Sequence, residues 1–211
     1  MGKQNRAKVT SKTSTNTCAG KPIRAAMQMF SRDLIYGCKE FAKKAENTDS
    51  DKKIRVYNTA CILFAISSIE AQLNERIVML KLCFIEEPKS FWHILNTLSK
   101  SLKLEEKWNL IAAHSNSTSW NKGREPFQSF EIINSLRNEL VHYKGTLFPK
   151  DTAPTKKIKG LMKKFGIKSS ASFIEDDCSA WVGDLLDYRN LGTWVTSIVL
   201  QFEKEFIKLF K

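Results

Sequence analysis

A chain of 211 residues with 42% hydrophobic and 27% charged side chains is long enough, and apolar enough, to bury the core of one domain. Its nine glycines and five prolines exclude collagen-like and wholly disordered chains, and its longest run without a charge, residues 56–69, falls short of the roughly 18–20 apolar residues of a membrane span. The net charge of +12 is concentrated in residues 1–24 and 150–168, each segment carrying +6 on an otherwise neutral body. Two readings fit that placement: a polyanionic partner, nucleic acid before membrane, or solubilising ends and loops.

Residues 1–20 are rich in Lys, Thr, Ser and Asn and nearly free of large apolar side chains, so they are expected to form a disordered basic arm. Residues 21–211 read as a single helical domain. Ile23, Met27, Phe30, Leu34 and Phe41 recur at helical spacing behind Pro22. Residues 47–50 form a break in which Asp49 or Ser50 can cap the next element. The spacing then predicts one long helix over 51–84; Ala60 to Ile66 is apolar all round, which places that helix at the centre of the fold. Glu86, Glu87 and Pro88 end it. Helices over about 89–101 and 104–114 follow, then a polar loop over 115–123, then a helix from Pro126 to about Tyr143 that Gly145 stops. Residues 145–172 read as an insertion holding Pro149, Pro154 and a short basic helix, Lys156 to Phe165, ended by Gly166. The closing helices carry Trp181, Leu185, Leu186, Trp194, Ile198, Phe202, Phe206 and Phe210. No segment alternates as a strand does. The expected fold is therefore an all-α bundle with a long central helix, a basic insertion and an N-terminal arm.

The five cysteines, Cys18, Cys38, Cys61, Cys83 and Cys178, are scattered and include no C-x-x-C pair, which argues against a disulfide framework or a structural zinc site. The first twenty residues lack the apolar stretch of a secretory leader, so the expectation is a cytoplasmic protein with reduced thiols. There is no H-E-x-x-H, no phosphate-cradling glycine loop and no G-x-S-x-G, and neither a metal nor a cofactor is expected.

Of the three histidines, His93 beside Trp92 reads as a packed side chain, and His114 as a helix-end residue. His142 stands apart. On the helix before it, Phe130, Ile133, Leu136, Leu140 and Val141 define an apolar arc, and Arg137 falls inside that arc. A guanidinium there needs a carboxylate, a phosphate or an interface. Asn138 and His142 share the polar face with Asn134 and Glu131. Upstream, Glu70 falls at the edge of the arc formed by Leu63, Ile66, Leu73 and Ile77, where a carboxylate is costly unless paired. Glu70 facing Arg137 across the bundle would satisfy both, as part of a site or as a purely structural ion pair.

The run Arg137-Asn138-x-x-x-His142 resembles the R-x(4–6)-H motif of HEPN domains (higher eukaryotes and prokaryotes nucleotide-binding), including the polar residue directly after the arginine. Phe64 to Glu75 is similar to the long helix preceding the motif helix in that family, and Trp194 to Phe210 resembles its closing helix. The resemblance implies a dimeric bundle in which two motif helices build one cleft that cuts RNA without metal, in a toxin or phage-defence role. It implies His142 as acid/base, Arg137 as phosphate ligand and Asn138 as orienting amide; from their places on the helical faces, Glu70 and Asn134 are expected to support them. One subfamily, paired with nucleotidyltransferase antitoxins, carries a Tyr two positions after the His. Lys144 stands there instead, so an adenylylating partner is not implied. On an ideal helix Arg137 and His142 point about 140° apart, so a two-fold pair of helices is needed to bring both to one phosphate.

The expected function is thus a metal-independent endoribonuclease acting by 2′-hydroxyl attack, homodimeric, with an antitoxin or other defence protein as a further partner and no membrane. Lys144, Lys156, Lys157, Lys159, Lys163 and Lys164 are the expected RNA contacts. The alternative is a non-catalytic helical module that binds RNA or protein.

Overall fold

The computed structural model describes residues 28–87, 89–141, 155–168 and 181–210. The expected arm, residues 1–20, lies outside them, as do residues 145–154 and 169–172 of the expected insertion. The described residues form eight α-helices and no strand, as the spacing predicts. These are α1 (Phe30–Glu46), α2 (Asp51–Cys83), α3 (Phe91–Leu98), α4 (Leu104–His114), α5 (Phe127–Val141), α6 (Lys156–Lys164), α7 (Trp181–Leu186) and α8 (Leu191–Leu209). The expected helix over 89–101 is shorter at both ends. Ser50 does take the N-cap position of α2, but its side chain makes no capping hydrogen bond.

The 33 residues of α2 make a rod about 50 Å long, and α1, α3, α4, α5, α7 and α8 all pack against it. By length and composition α2 is also the one described helix apolar enough to cross a bilayer; here it is the axis of the bundle. Small residues let α1 and α8 approach it closely. A Cβ on Gly37 would run into the Phe64 ring of α2, and one on Gly192 would lie 3.0 Å from Asn58 Oδ1 of α2 and 2.9 Å from Ala42 Cα of α1. Cys38, Ala42 and Ala45 of α1 and Cys61, Ala65 and Ser68 of α2 are buried in this seam.

Polar groups inside the seam are matched to one another. Asn58, wholly buried, donates to the carbonyls of Leu186 (2.7 Å) and Tyr188 (3.0 Å) and accepts from Gly192 N–H (3.0 Å), which pins the α7–α8 turn to α2. Arg55 reinforces that join with two bonds to Asp187, at 2.9 and 2.6 Å. Glu75 accepts from Ser31 N–H (2.9 Å) and Ser31 Oγ (2.6 Å), placing a carboxylate on the free donors of the first turn of α1.

The other side of the bundle is aromatic. Trp108 of α4, Trp120 of the loop, Phe127 and Phe130 of α5 and Phe202 of α8 form one cluster with ring centroids 4.7–6.0 Å apart. Such pairs add about 0.5–1.5 kcal/mol each beyond the area they bury, and here they fix the start of α5. The short basic helix α6 is docked rather than loose. Ile158, Leu161 and Met162 are buried, Phe165 stacks on Tyr188 at 4.6 Å, and Gly166 (φ 69°) ends the helix in the left-handed region, as expected for that glycine.

Candidate functional site

The residues singled out on α5 occupy its outer side. Phe127, Ser129, Phe130, Ile133 and Leu136 face inward and are buried. Arg137 follows at the edge of that buried strip and is half-buried, so it does not lie deep in an apolar arc. Val141, counted in the arc from the sequence, is 50% exposed; Leu140 beside it is half-buried against the core, and Val141 lies about 100° further round the helix. Asn134 is half-buried and Asn138 exposed; three and four positions apart from Asn134, Arg137 and Asn138 complete one continuous patch with it. Arg137 Nη1 donates to Asn138 Oδ1 at 3.0 Å. Among the described residues no carboxylate lies within ion-pair distance of Arg137. His142 and Lys144 lie outside the described residues.

Glu70 corrects an expectation. Its side chain is exposed and is not a partner of Arg137. Its charge acts instead on Lys107 of α4, whose ammonium donates to Asn74 Oδ1 at 2.8 Å. Burial holds the Lys107 amine below its ordinary range, and Glu70 offsets part of that. The buried acid of α2 is Glu75, five positions on and about 140° round the helix, and it serves Ser31.

The other histidines have structural partners. His93 Nδ1 lies 2.9 Å from Ser90 Oγ at the start of α3, and His114 stacks on Phe91 with centroids 4.0 Å apart. Cys38 and Cys61, both free and buried, hold their sulfurs 3.3 Å apart in the α1–α2 seam. The hydrogen bond with Cys38 and burial push the Cys61 thiol above its ordinary range, the state of an inert core thiol. Among the described residues no group of three or more His, Cys, Asp or Glu is placed to hold a metal ion.

Five lysines of α6, at 156, 157, 159, 163 and 164, are all exposed. Between α6, the first half of α5 and Trp194 of α8 runs a groove of about 300 Å³. Lys156, Lys157 and Lys164 line one wall and Gln128, Ser129 and Ile132 the other, with Glu125 at the margin. Lys157 also comes to 4.0 Å from Glu131. The sequence flags the lysines but not this groove. Its one legible trace is the apolar stripe Ile158, Leu161, Met162 and Phe165, which says that α6 packs flat without saying against what.

Compared with protein-family models, with curated proteins and with solved structures, the chain gives no match to any of them. The HEPN resemblance therefore rests on the residues quoted for it above.

Proposed function

We propose that this protein is a metal-independent endoribonuclease whose site is built from Arg137, Asn138 and His142 of two facing copies. The observation that carries the proposal is Arg137 itself. It is a fixed cation at the rim of a well-packed helix, held by a neutral amide and without a carboxylate to neutralise it among the described residues. A guanidinium so placed has free donors to offer a phosphate.

The chemistry asks for two groups. His142 takes the proton of the ribose 2′-hydroxyl, the 2′-oxygen attacks phosphorus, and the bond from phosphorus to the 5′-oxygen breaks. The imidazolium so formed gives its proton to the leaving 5′-oxygen, which leaves a 2′,3′-cyclic phosphate and a 5′-hydroxyl and restores the neutral imidazole. An imidazole with a pKa near 6.5 is suited to that exchange at neutral pH and contributes about 10²–10⁴-fold. Arg137 stabilises the charge gathering on the phosphoryl oxygens, an effect of about 10²–10³-fold for one well-placed donor. Asn138 orients Arg137. A toxin or defence role, with a partner protein that restrains the enzyme, follows from the resemblance and is part of the same proposal.

The test is expression of the wild type beside Arg137→Ala and His142→Ala, scoring host growth and total RNA, with purified protein incubated with RNA in EDTA. Cutting by the wild type, lost in both variants, is the expected result. Equal behaviour of the three proteins would overturn the proposal. A second reading, binding without cleavage, is favoured by the five exposed lysines of α6. It predicts steeply salt-dependent RNA affinity in a protein that leaves the RNA intact.

A further inference from the structure

We infer that the groove between α5 and α6 is a single-stranded RNA site, separate from the Arg137 patch, that lodges one nucleotide of the strand. The inference deepens the RNA reading above and rests on it. The groove's volume, about 300 Å³, lies at the lower end of the range for small-ligand sites, which suits one nucleotide rather than a duplex.

Its two walls differ in chemistry. The α6 wall presents Lys156, Lys157 and Lys164 and no acid, a surface for phosphate oxygens. The α5 wall offers Ile132 as apolar surface for a base, with the Gln128 amide able to bond its edge, and Trp194 of α8, held edge-on to Phe165 at 5.8 Å, adds aromatic surface. Glu125 is fixed at the margin, accepting from Ser129 Oγ at 2.7 Å. Its charge turns phosphate toward the lysines and leaves an acceptor for an exocyclic amino group. Gly160 lines the groove, and a Cβ added there meets nothing within 4 Å, so the space above it is open to a larger side chain. Gln128 precedes Arg137 by nine residues, about 14 Å along α5. A strand seated in the groove is therefore held a short way from the proposed scissile position, and α6 acts as a positioning element.

The experiment uses the full chain carrying His142→Ala, so that probe RNA stays intact, and a fluorescent single-stranded 12-mer read by anisotropy. Gly160→Phe fills the groove without changing charge, and Gly160→Ala is its control. Gly160→Phe is expected to weaken binding at least tenfold and Gly160→Ala to leave it unchanged, with the thermal transition of each at or above the parent's, since both replace a mid-helix glycine. Lys157→Glu is expected to weaken binding and to make the salt dependence shallower, by about 0.7 in the log–log slope for each phosphate that the protein ceases to neutralise. Unchanged affinity in both Gly160→Phe and Lys157→Glu would overturn the groove site while leaving the ribonuclease proposal standing. Groove-dependent binding by a wild type that never cuts RNA would have the opposite meaning. Displacement of the 12-mer by an equimolar mononucleotide, or by equimolar polyglutamate, would overturn the assignment to a strand.

Discussion

Two polar regions of this bundle are organised in opposite ways. In the seam of α1, α2 and α8, polar groups are spent on the protein itself: Asn58 serves three backbone groups and Glu75 serves Ser31 twice. On the outer side of α5 and α6, Arg137 leans on one amide, and the five exposed lysines of α6 meet a carboxylate only at Lys157, 4.0 Å from Glu131, among the described residues. A buried polar group is costly unless its partners are internal. An exposed cation keeps its bonding capacity for something else. The same composition thus yields a region whose polar residues hold the fold and one whose polar residues are available to a ligand.

The contrast is sharpest at Asn58. Asn58→Ala leaves two carbonyls and one N–H unpaired in the core, and each such loss costs about 1–3 kcal/mol. Urea unfolding is expected to show a loss of about 3 kcal/mol or more. Glu75→Ala comes next, at about 1–3 kcal/mol, since it strips two acceptors from the first turn of α1 while leaving the rest of the seam in place. A loss below 0.5 kcal/mol in either variant, the usual range for surface changes, would erase the distinction between the two regions.

Arg137→Ala is expected to fall within about 0.5 kcal/mol of the wild type in the same experiment, while abolishing the RNA cleavage proposed above. The pairing of those two outcomes matters more than either one. If Arg137→Ala destabilises the protein as much as Glu75→Ala does, Arg137 belongs with the structural residues and loses its claim on a phosphate.

The helices were legible from spacing because the apolar periods are long and the breaks are chemically marked. The expected 104–114 and the observed α4 coincide, and the expected 51–84 differs from α2 by one residue. The choice of carboxylate on α2 was not legible. A wheel drawn through Leu63, Ile66, Leu73 and Ile77 finds one packing face, but α2 is packed from several sides. The face toward α1 is lined by small residues, Cys61, Ala65 and Ser68, which carry little hydrophobic signal. Glu75 gained its partner from Ser31, 44 residues away, and no local pattern announces that pair. The depth of Arg137 is not legible either: its angular position between Ile133 and Phe130 puts it inside the apolar arc, but angle alone does not say how far a neighbour covers that edge, and Arg137 stays half-buried while Leu140 packs on the core. The groove depends on how α6 lies across α5, a tertiary relation invisible in either helix alone.

Lys107 stands between the two regions and gives the smallest test. Its residue is buried like those of the seam, yet its partners, Asn74 and the charge of Glu70, lie on exposed side chains. Burial sets its folded-state pKa below the ordinary 10.5. Between those two values the unfolded chain keeps a proton that the folded chain has released, so stability rises with pH across that window. Below it the ammonium is charged in both states and its desolvation cost is present in full. Urea unfolding of the wild type beside Lys107→Met, from neutral pH up to about 10, isolates this contribution because other groups cancel in the difference. The difference, wild type minus variant, is expected to rise with pH. A flat difference would mean that the ammonium is solvated as well in the folded chain as in the unfolded one, which would move Lys107 from the side of Asn58 and Glu75 to that of Arg137.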